Sequence, residues 1–190
     1  MNNQNKLILF CGPSGSGKTT IVHHLLKHNP KLSFSVSATT RPKRNTEKDG
    51  IDYYFLSVDE FKRKIEEDAF IEWEQVYESI YYGTLKSEID KIQKQNKVAV
   101  FDVDVEGGIN IKQKFAGKLL AVFVKPPSVD ELHKRLHARE TETPESLKTR
   151  IAKAEHELTF AKRFDIILIN DDKEKTIKEA EAIVLDFLNN

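Results

Sequence analysis

The chain has 190 residues, 39% of them hydrophobic, enough for one domain to bury a core of its own, and its 30 basic side chains balance 30 acidic ones. With no net charge there is no global field to draw it to nucleic acid or to an anionic membrane, so any anion site must come from local placement. The opening MNNQNKLILF is too poor in apolar residues for a signal-peptide core or a spanning helix, and the single cysteine, Cys11, allows neither an internal disulfide nor a cysteine pair for zinc, so the expectation is a cytoplasmic protein with no nucleic-acid or membrane partner.

In chain order, Leu7-Ile8-Leu9-Phe10 is a continuous apolar run, the mark of a strand buried on both faces, and it feeds into a glycine-rich turn. A helix follows from Lys18 and stops at Asn29-Pro30, because proline disfavours helix at the residue before it. From about Ser35 to Asn96 the pattern changes to basic, tyrosine-rich and turn-rich segments, which read as an insertion between the second and third core strands. Further apolar runs at Val98–Phe101, Leu119–Val124 and Ile166–Ile169, each followed by a helical stretch, predict an α/β fold with a parallel core sheet. Ser57 with Glu60 and Ser128 with Glu131 have capping-box spacing, and Thr143-Pro144 marks another helix start. Arg135 to Arg150, rich in Arg, Thr and Glu between two helices, reads as a lid.

Gly12-Pro13-Ser14-Gly15-Ser16-Gly17-Lys18-Thr19 matches G-x-x-x-x-G-K-[ST] at every fixed position, directly after a strand and opening a helix. Glycine lets the backbone approach an anion, so successive amides and the helix N-terminus can face phosphate oxygens. Lys18 adds a point charge at the β/γ-phosphates and the Thr19 hydroxyl suits Mg²⁺. The loop alone does not choose among kinases, GTPases and motor ATPases.

The segment Ser35 to Arg44, then Gly50-Ile51-Asp52-Tyr53-Tyr54-Phe55, Phe70-Ile71-Glu72-Trp73, Tyr81-Tyr82-Gly83-Thr84 and Phe101-Asp102-Val103-Asp104, closely resembles guanylate kinases, from about Lys6 to Phe187. The resemblance implies a P-loop NTPase three-layer fold in a single domain, with a core at about 1–34, 97–128 and 151–190, a GMP-binding insertion at about 35–96 and a helical lid at about 129–150. It implies ATP-dependent phosphorylation of GMP, and of dGMP, with Mg²⁺ as cofactor. Gly12 to Thr19, with Thr20 and Asn170, would hold ATP.

On the acceptor side the resemblance implies that Ser37, Arg41, Arg44, Tyr53, Glu72, Tyr82, Thr84 and Asp104 bind GMP. Guanidinium forks suit a phosphate dianion, since each bonds two oxygens at once, and the two phenols can donate to the same group without adding charge. The Glu72 carboxylate can accept from both N1–H and the 2-amino group of guanine while the Thr84 hydroxyl reaches O6; adenine has no N1–H and would leave the carboxylate badly paired. Asp102 and Asp104, two apart at the end of an apolar strand, point to one face where open α/β sheets bind ligands; Asp104 is placed on the GMP side and Asp102, through water, near Mg²⁺. Transfer needs alignment and positive charge rather than a general base, and the resemblance assigns that charge to Lys18, Arg44, Arg135, Arg139 and Arg150.

Three positions depart from the family pattern: Glu140 where glycine commonly follows the lid arginine, Ile80 where asparagine is common, and one residue too many between Tyr77 and Ile80. His24 and His28 lie i,i+4 on a helix but lack a third ligand nearby, and read as solvent-exposed. Two alternatives stand beside the kinase reading: a scaffold domain of the same fold that binds peptides without turning over ATP, and a kinase for another acceptor.

Overall fold

In a computed structural model, which describes residues 6–137 and 144–190, the chain opens with β1 (Leu7–Cys11), α1 (Lys18–His28) and β2 (Leu32–Phe34). The next segment holds β3 (Ala38–Thr39), β4 (Tyr54–Phe55), α2 (Val58–Glu66), β5 (Phe70–Tyr77), β6 (Ile80–Leu85) and α3 (Lys86–Lys94). The remainder is β7 (Val98–Asp102), α4 (Val105–Lys114), β8 (Leu119–Lys125), α5 (Val129–His137), α6 (Pro144–Leu158), a 3-10 turn at Ala161–Arg163, β9 (Ile166–Ile169) and α7 (Lys173–Asn189).

Among the described residues, five strands form a wholly parallel sheet in the order β2-β7-β1-β8-β9. The central strand β1 is buried on both faces. Leu7, Leu9 and Cys11 pack with Ile89, Ile92 and Ile111 of α3 and α4, whereas Ile8 and Phe10 pack with Ile21, Val22 and Leu25 of α1 and with Ala180 and Val184 of α7. Side chains two apart share a face of a strand, so a continuous apolar run is what a sheet sandwiched between helices requires. Cys11 ends β1 with no exposed surface.

Residues 38–85 form a second sheet, ordered β4-β3-β6-β5, on a small core of its own in which Phe61 stacks on Phe70 at 4.4 Å and on Tyr81 at 5.4 Å between ring centroids. The β5–β6 ladder has two irregularities: Phe70 pairs with Leu85 and Glu72 with Thr84, and Gln75 pairs with Tyr81 and Tyr77 with Ile80, so Ile71 and Val76 each lack a partner rung and form bulges. Glu78-Ser79 then closes the hairpin, with Ser79 at φ 62°.

Local signals hold with two corrections. The Ser57–Glu60 capping box forms in both directions, but at α5 only half of one does. The Ser128 hydroxyl accepts from the Glu131 amide at 3.1 Å, while the Glu131 carboxylate is taken by the Arg135 guanidinium at 3.0 Å, a charged partner that outcompetes a neutral amide. The strand carrying Asp102 ends there, so Asp104 is not its continuation; it caps α4, accepting from the Gly107 amide at 2.9 Å. The described parts of α5 and α6 share a third small core of Leu132, Leu136 and Ala154. Arg139, Glu140 and Thr143 lie outside the described residues.

Candidate active site

The loop between β1 and α1 is shaped by two close approaches. Gly12 has φ +139°, and a Cβ there would run into the Val124 carbonyl of β8; Gly17, the N-cap of α1 at φ +94°, would drive one into the Asn170 side-chain amide. Asn170, just past β9, donates from that amide to the Ser16 carbonyl at 2.7 Å, and its own carbonyl accepts from Arg135 at 3.0 Å. The Lys18 ammonium lies over the loop, donating to the carbonyls of Gly12 at 2.8 Å and Pro13 at 3.4 Å. Arg150, from α6, donates to the Ser14 hydroxyl at 2.8 Å. Lys18 from within the loop and Arg150 from α6 thus donate to the loop directly, and Arg135 reaches it at one remove, through Asn170. Thr20 sits exposed on the first turn of α1.

Thr19 connects this loop to the rest of the site. Its hydroxyl donates to an Asp102 carboxylate oxygen at 2.8 Å, and Asp102 also lines a cavity of about 330 Å³ between the two sheets. The other walls of that cavity are Ser37, Tyr53, Glu72, Glu74, Val76, Tyr82, Gly83, Val103, Asp104 and Gly107. Five of the eight sequence-predicted acceptor residues therefore meet there: Ser37, Tyr53, Glu72, Tyr82 and Asp104. Thr84, wholly buried on β6 and outside the cavity wall, does not offer its proton to a guanine O6 as the sequence suggested: it stands behind Glu72 and donates its one O–H to that carboxylate at 2.7 Å.

At the other end of the cavity the Tyr53 and Tyr82 rings meet edge to face with centroids 6.0 Å apart, and the Arg41 guanidinium lies 5.4 Å from the Tyr53 centroid and 5.8 Å from that of Phe55. Arg41 is fixed by a residue that sequence reasoning missed. Glu47 grips it with both oxygens, at 3.0 and 2.7 Å, and also accepts the Arg44 backbone amide at 2.8 Å. The Arg41 fork, and then the Arg44 amide, hold the Glu47 carboxyl at about 2. Arg44 itself is exposed, outside the cavity wall.

The cavity is rich in carboxyl groups. Burial raises the pKa of Glu72, with the Thr84 hydroxyl acting against it. Glu74 is pushed up to about 7 by burial, then by the charges of Asp104 and Glu106. Lys153, reaching over from α6 to Asp104 at 3.5 Å and Glu157 at 3.8 Å, is one neighbouring cation; burial works to lower its pKa, but the surrounding carboxylates prevail and raise it. Neither Glu74 nor Lys153 stands out in the sequence, where each looks like a solvated side chain on a regular element.

The predicted histidine pair takes part in none of this: His24 bonds Glu181 at 2.8 Å, and its ring stacks on His28 at 4.0 Å. Among the described residues no group of three or more His, Cys, Asp or Glu is arranged to hold a metal by itself, and no helix is long and apolar enough to cross a membrane.

The guanylate kinase family model matches residues 4–186. The chain is 50% identical over 184 residues to the guanylate kinase of Bacteroides thetaiotaomicron, covering 97% of this chain and 90% of that one. It is 49% identical over 183 residues to that of Bacteroides fragilis strain ATCC 25285, covering 96% and 90%. Its fold is similar to the crystal structure of guanylate kinase from Anaplasma phagocytophilum, with a TM-score of 0.77 at 24% identity over 97% of this chain and 87% of that one.

Proposed function

This chain belongs to the guanylate kinase family, and we propose that it transfers the γ-phosphoryl group of ATP to GMP, giving ADP and GDP, with dGMP as a second acceptor. The observation that carries this reading is Asp102, which takes the Thr19 hydroxyl of the donor loop with one oxygen and forms a wall of the acceptor cavity. Two substrates held on its two sides would present the phosphate of one to the γ-phosphate of the other.

In this reading Gly12 to Thr19, with Thr20 and Asn170, bind ATP, and the acceptor region of residues 35–96 binds GMP. Glu72 recognises the guanine edge, oriented by Thr84. Arg41, Arg44, Tyr53 and Tyr82 hold the acceptor phosphate, with Ser37 and Asp104 beside them. The acceptor phosphate is already an anion, so its oxygen attacks the γ-phosphorus as the bond to the bridging oxygen of ADP breaks, with no general base. Lys18, Arg135 and Arg150 supply positive charge around the loop, and Arg139 completes the assignment from the segment 129–150. The Thr19 hydroxyl and Asp102 carboxylate are hard oxygen donors suited to a largely hydrated Mg²⁺, which would neutralise charge on the β- and γ-phosphate oxygens. We place the activity in the cytoplasm.

The test is an initial-rate panel of ATP with GMP, dGMP, AMP, UMP and CMP, following ADP release. GMP and dGMP should be turned over and the other three left nearly untouched. No ADP from ATP plus GMP would return the scaffold reading, and comparable rates with AMP would overturn guanine recognition by Glu72.

A further inference from the structure

Glu74 lines the acceptor cavity, and the site described above leaves it without a role. On β5 the side chains alternate: Glu72, Glu74 and Val76 face inward, and Trp73, Gln75 and Tyr77 outward. The antiparallel register sets Glu72 opposite Thr84 and Glu74 opposite Tyr82. The hydrogen-bonded Glu72–Thr84 rung marks the base end of the cavity, and Tyr82, reaching toward Tyr53 and Arg41, marks the phosphate end. One inward step along a strand is about 6.8 Å, so Glu74 follows the base-reading residue by one step. Being shorter than the tyrosine it faces, it stops before the phosphate end. Between base and phosphate a nucleotide has its sugar.

The chemistry selects the same group. A carboxyl so placed gains nothing from a phosphate dianion, and the Watson–Crick edge of guanine is matched to Glu72. The donors left are the second N–H of the 2-amino group, which stays on the base, and the ribose hydroxyls, which lie one step on toward the phosphate, where Glu74 stands. Burial and the nearby charges of Asp104 and Glu106 hold the pKa of Glu74 up at about 7, so a donor hydroxyl would relieve a group now crowded by other acids.

We infer that Glu74 is a sugar-recognition residue, accepting a hydrogen bond from a ribose hydroxyl of the acceptor and so favouring a purine ribonucleotide over its deoxy counterpart. This rests on the cavity being the acceptor site. The experiment compares kcat/KM for GMP, 2′-deoxy-GMP and 3′-deoxy-GMP in the wild-type chain, Glu74→Gln and Glu74→Ala at pH 8, where the carboxyl is ionised. The wild type should prefer GMP to one of the deoxy analogues by about tenfold, the scale of one hydrogen bond to a charged acceptor. Glu74→Ala should shrink that preference to within about twofold by raising KM for GMP, and Glu74→Gln, which keeps an acceptor oxygen, should fall between them. A merely structural role would lower all three acceptors together, and that result, or unchanged ratios for both analogues in Glu74→Ala, overturns the inference. If the wild type turns over no GMP, the kinase reading falls too; if it does and the ratios stand, only the role of Glu74 falls.

Discussion

Replacing Glu72 by glutamine separates what this side chain does for recognition from what it costs the fold. The carboxylate can accept two hydrogen bonds from guanine, whereas the amide can accept one and turns an N–H toward a base that offers another donor. A lost charged hydrogen bond is worth about 1.5–3 kcal/mol, and at about 1.4 kcal/mol per decade kcat/KM for GMP should fall about 10- to 100-fold. AMP should move the other way, because the new N–H meets the acceptor N1 of adenine, so the GMP-to-AMP ratio narrows more than either rate alone. Stability should rise. Burial raises the pKa of Glu72, so the folded state holds its proton in a range where the unfolded chain has released it, and the ionised group weighs against folding at neutral pH. Glu72→Gln should therefore raise Tm at pH 8 and leave it unchanged below about pH 4, where both states are protonated. Thr84 can still donate to the amide oxygen, so the β5–β6 rung survives. An unchanged GMP-to-AMP ratio, or a Tm that drops in step with activity, would refute the reasoning.

Lys18→Ala should lower kcat by at least about 10²-fold, as expected when a preorganised donor to developing charge is removed, while calorimetry finds GMP binding within twofold of the wild type. Glu47→Ala frees the Arg41 fork from its two-oxygen grip and should raise KM for GMP about tenfold without changing KM for ATP; a lower KM would mean that Glu47 competes with the acceptor phosphate instead of placing its ligand. Glu74, pushed up to about 7, keeps its proton in the fold after the unfolded chain has lost it, so stability falls as pH rises from about 4.5 through 7. Glu74→Gln should flatten that fall in a series of melting curves from pH 4.5 to 8, and parallel curves for the two proteins would count against it.

What could be read from the sequence was what is local or carried by several motifs in order. The loop from Gly12 to Thr19 announces itself because its glycines, Lys18 and Thr19 lie close together in the chain, and β1, β7 and β8 are visible because strands in the middle of the sheet are apolar on both faces; β9, at the edge, reads the same way although Ile167 and Ile169 are exposed. The end of α1 follows from Pro30. The two-residue strands β3 and β4 carry no pattern of their own; Thr39 is in a sheet because Tyr82, 43 positions later, pairs with it. Glu47 and Glu74 were illegible for a related reason. An acid in a loop or on an alternating strand looks solvated until tertiary structure sets Arg41 or Tyr82 beside it. At Glu131 the spacing was right and the partner wrong, since a charged neighbour one helical turn on displaced a backbone amide.

The position of Cys11 gives the protein a built-in clock. The thiol ends the central strand immediately before the phosphate loop, has no exposed surface, and is held neutral because burial drives its pKa far above the thiol range. A thiol reagent in solution therefore meets it only when the packing around the end of β1 opens, in a cluster that includes Ile71 of β5, Val105 and Ile111 of α4 and, at its edge, Leu158 of α6. The rate at which this atom is alkylated under native conditions reports the opening of that shared packing, where the parallel sheet meets the second sheet and the helices.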